Sequence, residues 1–261
     1  MSDFAEEAVA VPPPERLDPI LQRRDPLSHV LRDRLIAIGE ILLCSSLLIQ
    51  FAIMAILYLA GWPPNTSNEP LSLPFVLTLS LGEAVVTIVL MIALTQARGE
   101  SVIALWLGRA PVTREIALGL ALVPVVFGMV VVLLNGIRIF APWLHNVETN
   151  PLEQLATGSA TDAALFSLVA IFAGGVKEEL QRAFLLRRFE HLGGDKVGVV
   201  VLSIAFGLGH ALQGRDAVIV TGTLGAFWAV IYLRRRSSVA PIISHAGFNS
   251  LEILRLAFTG N

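Results

Sequence analysis

The sequence predicts an all-α, polytopic integral membrane protein, a bundle of about seven transmembrane helices within a range of six to eight. Three observations predict it. The 261 residues are 54% hydrophobic and 15% charged, where a soluble domain carries about 25% charge; the mean hydropathy is +0.70. Apolar runs of about 20 residues, the length that crosses hydrocarbon, recur along the chain. Arg and Lys concentrate in alternate connections, as they do when only one side of a membrane is basic. The net charge of −2 says little about partners, and nothing in the sequence suggests nucleic acid. Cys44 is the single cysteine, so an intrachain disulfide is excluded.

Residues 1–34 read as a cytoplasmic, disordered tail. They open acidic and Pro-rich ("AVPPPERLDP") and then carry Arg16, Arg23, Arg24, Arg32 and Arg34. A secretory signal would begin basic and continue apolar, so that reading is rejected. A short interfacial helix is expected around Leu27–Arg34. Residues 35–140 hold N-terminal spans at Leu35–Trp62 and Leu71–Ala97, with Glu40 and Glu83 embedded in them, and at Ile116–Ile137, which is uncharged. The run "SVIALWLGRAPV" (101–112) is too short to span and reads as interfacial. Residues 141–160 form an external loop. Residues 161–258 hold the last expected spans: Asp162–Phe189, Val197–Gln213, Ala217–Leu233 and Ser237–Phe258. The basic tail, the basic loops 98–114 and 187–196 and the triplet Arg234–Arg236 orient the chain with its N-terminus in the cytoplasm of a plasma (inner) membrane.

Ionisable groups inside spans are costly, about 2.5–3.5 kcal/mol each on insertion scales, and tend to mark a bundle interior or a wet cavity. Three clusters stand in the C-terminal region. Glu178 and Arg182 are i,i+4 neighbours on a helix, and Glu179 lies i,i+3 from Arg182. His210 follows Phe206 by four residues between Gly207 and Gly209. His245 and Asn249, also four apart, share one helical face. Each has a plain structural reading: charges at a span's end, a hydrogen-bonded core histidine, an interhelical polar clasp. Together, two carboxylates, two imidazoles and a carboxamide are the parts of a site that activates water against a carbonyl. Zinc is an option these residues leave open, with His210 and His245 as ligands and water in the remaining position.

The segments "EELQR" (178–182), "FGLGH" (206–210) and "HAGFN" (245–249) resemble, in order, the three motifs of the CPBP intramembrane proteases, the Abi or type II CAAX protease family. The resemblance spans about residues 160–255. It implies an intramembrane endopeptidase, of metallo- or glutamic type, that cleaves a membrane-associated or prenylated (CAAX-like) peptide in the lipid bilayer. It also implies that Glu178 or Glu179 activates water with His210, that His245 and Asn249 stabilise the oxyanion, and that Arg182 and Phe206 support them. One spacing departs from the family's pattern. Two residues, where the family has three, separate the double glutamate from Arg182; a one-residue bulge in the helix would reconcile the two. The alternatives are an inactive peptide-binding scaffold, for which the shifted arginine argues, and a proton-coupled transporter. The concentration of ionisable residues in one half and the lack of a repeat argue against the transporter.

Overall fold

In a computed structural model of the chain, residues 26–65, 72–148, 155 and 159–259 are described. Every regular element among them is helical. In chain order these are α1 (Pro26–Leu43), α2 (Leu47–Leu59), α3 (Leu73–Ala97), α4 (Val102–Trp106) and α5 (Val112–Phe140), followed by a 3₁₀ turn at Pro142–Leu144. Then come α6 (Ala160–Val169), a π-helical segment (Ala170–Lys177), α7 (Glu178–His191), α8 (Asp195–Gly209), α9 (Arg215–Arg235) and α10 (Val239–Thr259).

Among the described residues, four helical stretches are long and apolar enough to cross a membrane: Leu73–Ala97, Val112–Phe140, Ala160–His191 and Arg215–Arg235. They become five if the bent pair His29–Leu43 and Leu47–Leu59 counts as one span. Large apolar side chains face outward along these helices, Val89 and Val132 among them, as lipid contact requires. The chain is an all-helical integral membrane protein; length and apolarity do not establish seven spans. The segment expected at Val197–Gln213 is helical only as α8, 15 residues or roughly 22 Å, and finishes in a 3₁₀ turn. The last expected span forms as α10, but Glu252 and Arg255 interrupt its apolar character.

The expected span Leu35–Trp62 is broken. Cys44–Ser46 separates α1 from α2 with a 40° bend, and Ser46 adopts a positive φ of 70°. Polar partners stabilise the break: Lys177 Nζ and Gln181 Nε2 both donate to Ser46 Oγ, at 2.9 and 2.7 Å, and Gln181 also reaches the Cys44 carbonyl at 2.5 Å. Non-helical backbone at membrane depth is tolerated only where protein groups satisfy it. Residues 26–34, expected as tail and interfacial helix, form the first turns of α1; residues 1–25 lie outside the described residues, as does part of the expected external loop 141–160. The short run at 101–112 contains only the five-residue α4. It is wedged inward by Trp106, whose Nε1 donates to the Leu180 carbonyl at 3.1 Å.

Two features of the packing position the C-terminal helices. Ala183, Phe184, Leu185 and Leu186 of α7 form one core with Cys44, Met91, Trp106, Ala229 and Tyr232. Glycines let helices cross closely. A methyl at Gly119 would meet Ile243 Cβ of α10 at 2.6 Å, and one at Gly207 would run into the Val218 carbonyl of α9. At Gly175, in the π segment, it would meet Ala246 Cβ at 2.6 Å. α10 therefore lies against both α5 and the π segment, directly beside the double glutamate.

Candidate active site

The π segment sets the rotational phase of α7. Its i→i+5 bonding inserts an extra residue per turn relative to an α-helix and rotates the start of α7. The bulge that would reconcile the spacing of the double glutamate and Arg182 is not formed between them: the π segment ends at Lys177, ahead of all three residues, and leaves their mutual spacing unchanged. On α7 itself, Glu178 through Arg182 are regular α-helix.

That rotation gives the first turns of α7 two polar faces. Lys177 and Gln181 turn toward α1–α3, where Lys177 Nζ lies 2.7 Å from Glu83 Oε2 and Thr87 Oγ1 donates to Glu83 Oε1 at 2.8 Å. Glu179 and Arg182 turn toward α10. Glu179 is buried, 2% exposed, and its Oε1 accepts from both Arg182 Nη1 and His245 Nδ1, the latter at 2.8 Å. The other carboxylate oxygen, Oε2, is buried without a hydrogen-bond partner among the described residues. Glu178 is different: half-buried, its Oε2 stands 4.0 Å from His245 Nε2.

The histidines are oriented by their Nδ1 atoms. An ionised carboxylate only accepts, so His245 Nδ1 carries the hydrogen shared with Glu179, and Nε2 is the edge that faces Glu178. His210 caps the end of α8, and its Nδ1 donates to the Phe206 carbonyl at 2.9 Å, which likewise leaves Nε2 open. The Phe206 ring lies between the two imidazoles, 4.8 Å from His210 and 6.0 Å from His245 by centroids, and the Arg182 guanidinium sits 4.8 Å over its face. Asn249 is one turn beyond His245; its Nδ2 donates to the Ala170 carbonyl at 3.0 Å, which ties α10 to the beginning of the π segment.

The residues singled out in the sequence are therefore gathered around Phe206 and His245, with Asn249 reaching backbone. Sequence reasoning missed three contributors. Trp228 of α9 stacks on His245, centroids 3.9 Å apart. Glu83 and Ser46 hold Lys177 from the N-terminal helices, which carry no motif. Of these only Glu83 left a signal in the sequence, as a lone acid in an apolar run.

The zinc option meets a poor donor set. Among the described residues no group of three or more His, Cys, Asp and Glu side chains could hold a metal ion. Glu179 Oε1 and His245 Nδ1 are engaged with one another. The described residues do not assemble a three-ligand metal site, and no step of the reaction is routed through one.

A carboxylate on the open side of an imidazole, with a second buried carboxylate and an arginine behind it, is equipped to orient and deprotonate a water molecule. Comparison with known families bears on this region directly. Residues 160–251 match the family described as type II CAAX prenyl endopeptidase, Rce1-like. The match takes in all three motifs and bears out the resemblance to CPBP-type intramembrane proteases. No match was found among curated proteins or among solved structures.

Proposed function

Proceeding from the Rce1-like character of residues 160–251, we propose that the protein is an intramembrane endopeptidase that hydrolyses a peptide bond of a membrane-associated, prenylated CAAX-type peptide. The observation that carries the reading is the contact of His245 Nδ1 with Glu179 Oε1 at 2.8 Å, made across 66 residues and leaving His245 Nε2 toward Glu178.

In this reading Glu178 is the general base. It is the more exposed of the two carboxylates, and Arg182 is held by Glu179. Water between Glu178 and the His210 Nε2 edge loses its proton to Glu178 as its oxygen attacks the scissile carbonyl carbon. His245, with a hydrogen on each ring nitrogen between the two carboxylates, donates from Nε2 to the oxyanion that forms, a task for groups held in place before the reaction. The remaining Nδ2 hydrogen of Asn249 serves the same oxygen. Collapse of the tetrahedral intermediate breaks the C–N bond, and Glu178 returns its proton to the leaving amine. Glu179 and Arg182 do not touch substrate; they fix the heading of the His245 ring and neutralise each other in a low-dielectric setting. The Glu179–Arg182 contact also weakens the inactive-scaffold reading, because the shortened spacing still delivers the arginine to a glutamate.

The alternation of basic connections supports a cytoplasmic N-terminus in the plasma (inner) membrane. The test of the function is cleavage of a peptide set, including farnesylated and geranylgeranylated CAAX tails, by the purified protein, with products read by mass spectrometry. Cleavage by wild type and none by His210→Ala or Glu178→Gln is the expected result. Equal cleavage by all three sinks the proposal.

A further inference from the structure

Trp228 belongs to none of the three motifs, yet it is 1% exposed and lies at the centre of the site. Its indole lies flat on the His245 imidazole, centroids 3.9 Å apart and planes inclined by only 13°. Phe206 meets the same imidazole edge-on, at 87°. The Arg182 guanidinium sits over the indole at 5.7 Å as well as over Phe206. The indole Nε1 donates to Ser244 Oγ at 2.8 Å, and Ser244 Oγ in turn donates to the Pro241 carbonyl at 3.2 Å. Trp228 thus holds both the ring of His245 and the helical turn that bears it.

We infer that Trp228 is a positioning residue for His245, setting the plane of the imidazole and with it the direction of Nε2. The inference rests on the protease reading of the site. The torsion that turns an imidazole about its Cβ–Cγ bond is broad, so one hydrogen bond at Nδ1 leaves the ring free to rock. An indole stacked on one face and a phenyl edge on another remove that freedom. Nε2 then keeps one heading, toward Glu178 at 4.0 Å. Oxyanion stabilisation depends on such preorganisation, because a donor that must be reoriented during the reaction loses its advantage. The Nε1–Ser244 bond adds a second constraint, fixing α9 and α10 in register at the same point.

The experiment uses the full chain in detergent with a farnesylated CAAX peptide as probe and compares Trp228→Leu, Trp228→Phe and Ser244→Ala. Trp228→Leu should lower kcat about 10- to 100-fold, the scale of a misplaced reacting group, while KM stays within about twofold. Trp228→Phe keeps an aromatic face and should recover most of the loss; Ser244→Ala removes the hydroxyl that accepts from the indole while keeping the stacked ring, and should lie between Phe and wild type. A second readout needs no turnover. In proton–carbon NMR of histidine-labelled protein, the His245 ring signal, identified by its loss in His245→Gln, should be shifted upfield by the indole and return to the ordinary range in Trp228→Leu. Unchanged kcat in Trp228→Leu, or an unmoved His245 signal, overturns the inference. So does Trp228→Phe being as inactive as Leu while the His245 signal stays upfield. Wild-type protein that cleaves no peptide but shows the upfield signal defeats the protease reading, and with it any catalytic purpose for the stacking.

Discussion

Lys177 Nζ and Glu83 Oε2 lie 2.7 Å apart with both side chains almost fully buried, and Lys177 immediately precedes the double glutamate. The pair joins α3 to the π segment on the side of the helix away from His245. A buried ion pair is worth little net, since desolvation offsets attraction, but an orphaned partner is expensive. Glu83→Gln or Lys177→Met alone should therefore destabilise the protein by about 3–5 kcal/mol, while Glu83→Leu with Lys177→Met should be near neutral. Thermal unfolding in detergent measures this. Comparable losses in the single and double variants would show that packing, and not charge, is what the site needs there.

The two glutamates should fail in different ways. Glu178→Gln is expected to lower kcat by about 100- to 10,000-fold, the range for a lost general base, with little change in KM or thermal stability. Glu179→Gln leaves Arg182 without its counter-charge in a buried position, so it should lose stability as well as turnover. Paired kinetics and unfolding curves read both. If Glu179→Gln stays as stable as wild type and Glu178→Gln turns over normally, the roles are reversed.

Glu100 offers a pH dependence outside the spans. Burial works to raise its carboxyl, but the hydrogen bond and charge of Arg188, with His191 and Arg187 adding to them, prevail and pull it from 4.5 down to about 2. Arg188 Nη1 donates at 2.5 Å and Arg187 Nε at 3.1 Å. The folded state thus favours the ionised form. The resulting stability is fully present above about pH 4.5, declines below it and is gone near pH 2. A pH series of unfolding temperatures for wild type and Glu100→Gln should show a constant gap from neutral pH to about 5 that closes toward pH 2. A gap that persists at pH 2 would assign the Glu100 contribution to packing.

Glycine substitutions should separate close approach from helix propensity. Gly175→Ala would set a methyl 2.6 Å from Ala246 Cβ and 2.8 Å from its Cα, one residue from His245. It should cost about 1–3 kcal/mol by overpacking and depress turnover by moving α10 off the π segment. Gly128, inside α5, has open space where its Cβ would be, so Gly128→Ala should stabilise by about 0.5–1 kcal/mol and leave turnover unchanged. Stability and peptide cleavage of the two variants decide it; equal effects would mean that the Gly175 contact is not needed.

How much of the fold and site was legible in the sequence depends on the range of each interaction. The helices at 73–97, 112–140 and 215–235 were legible because long apolar runs are local signals. The break at Cys44–Ser46 was not, since its donors, Lys177 and Gln181, lie more than a hundred positions away. Glu178, Glu179, Arg182, His210, His245 and Asn249 were legible as types and spacings. Which glutamate is buried was not, because a π segment and a regular helix of the same residues present different faces.

The sequence by itself determined that this chain is an all-helical membrane protein with carboxylates, imidazoles and an arginine in its C-terminal third, where hydrocarbon would otherwise be expected. The tertiary structure decided how they are shared out: Glu179 to Arg182 and His245, Glu178 to a half-buried position beside His245 Nε2, Lys177 to Glu83, and Trp228 to the face of His245. The reason is physical. Apolarity and helical periodicity are written in neighbouring residues, whereas the heading of a polar group inside a bundle depends on helix rotation and on partners brought from distant positions.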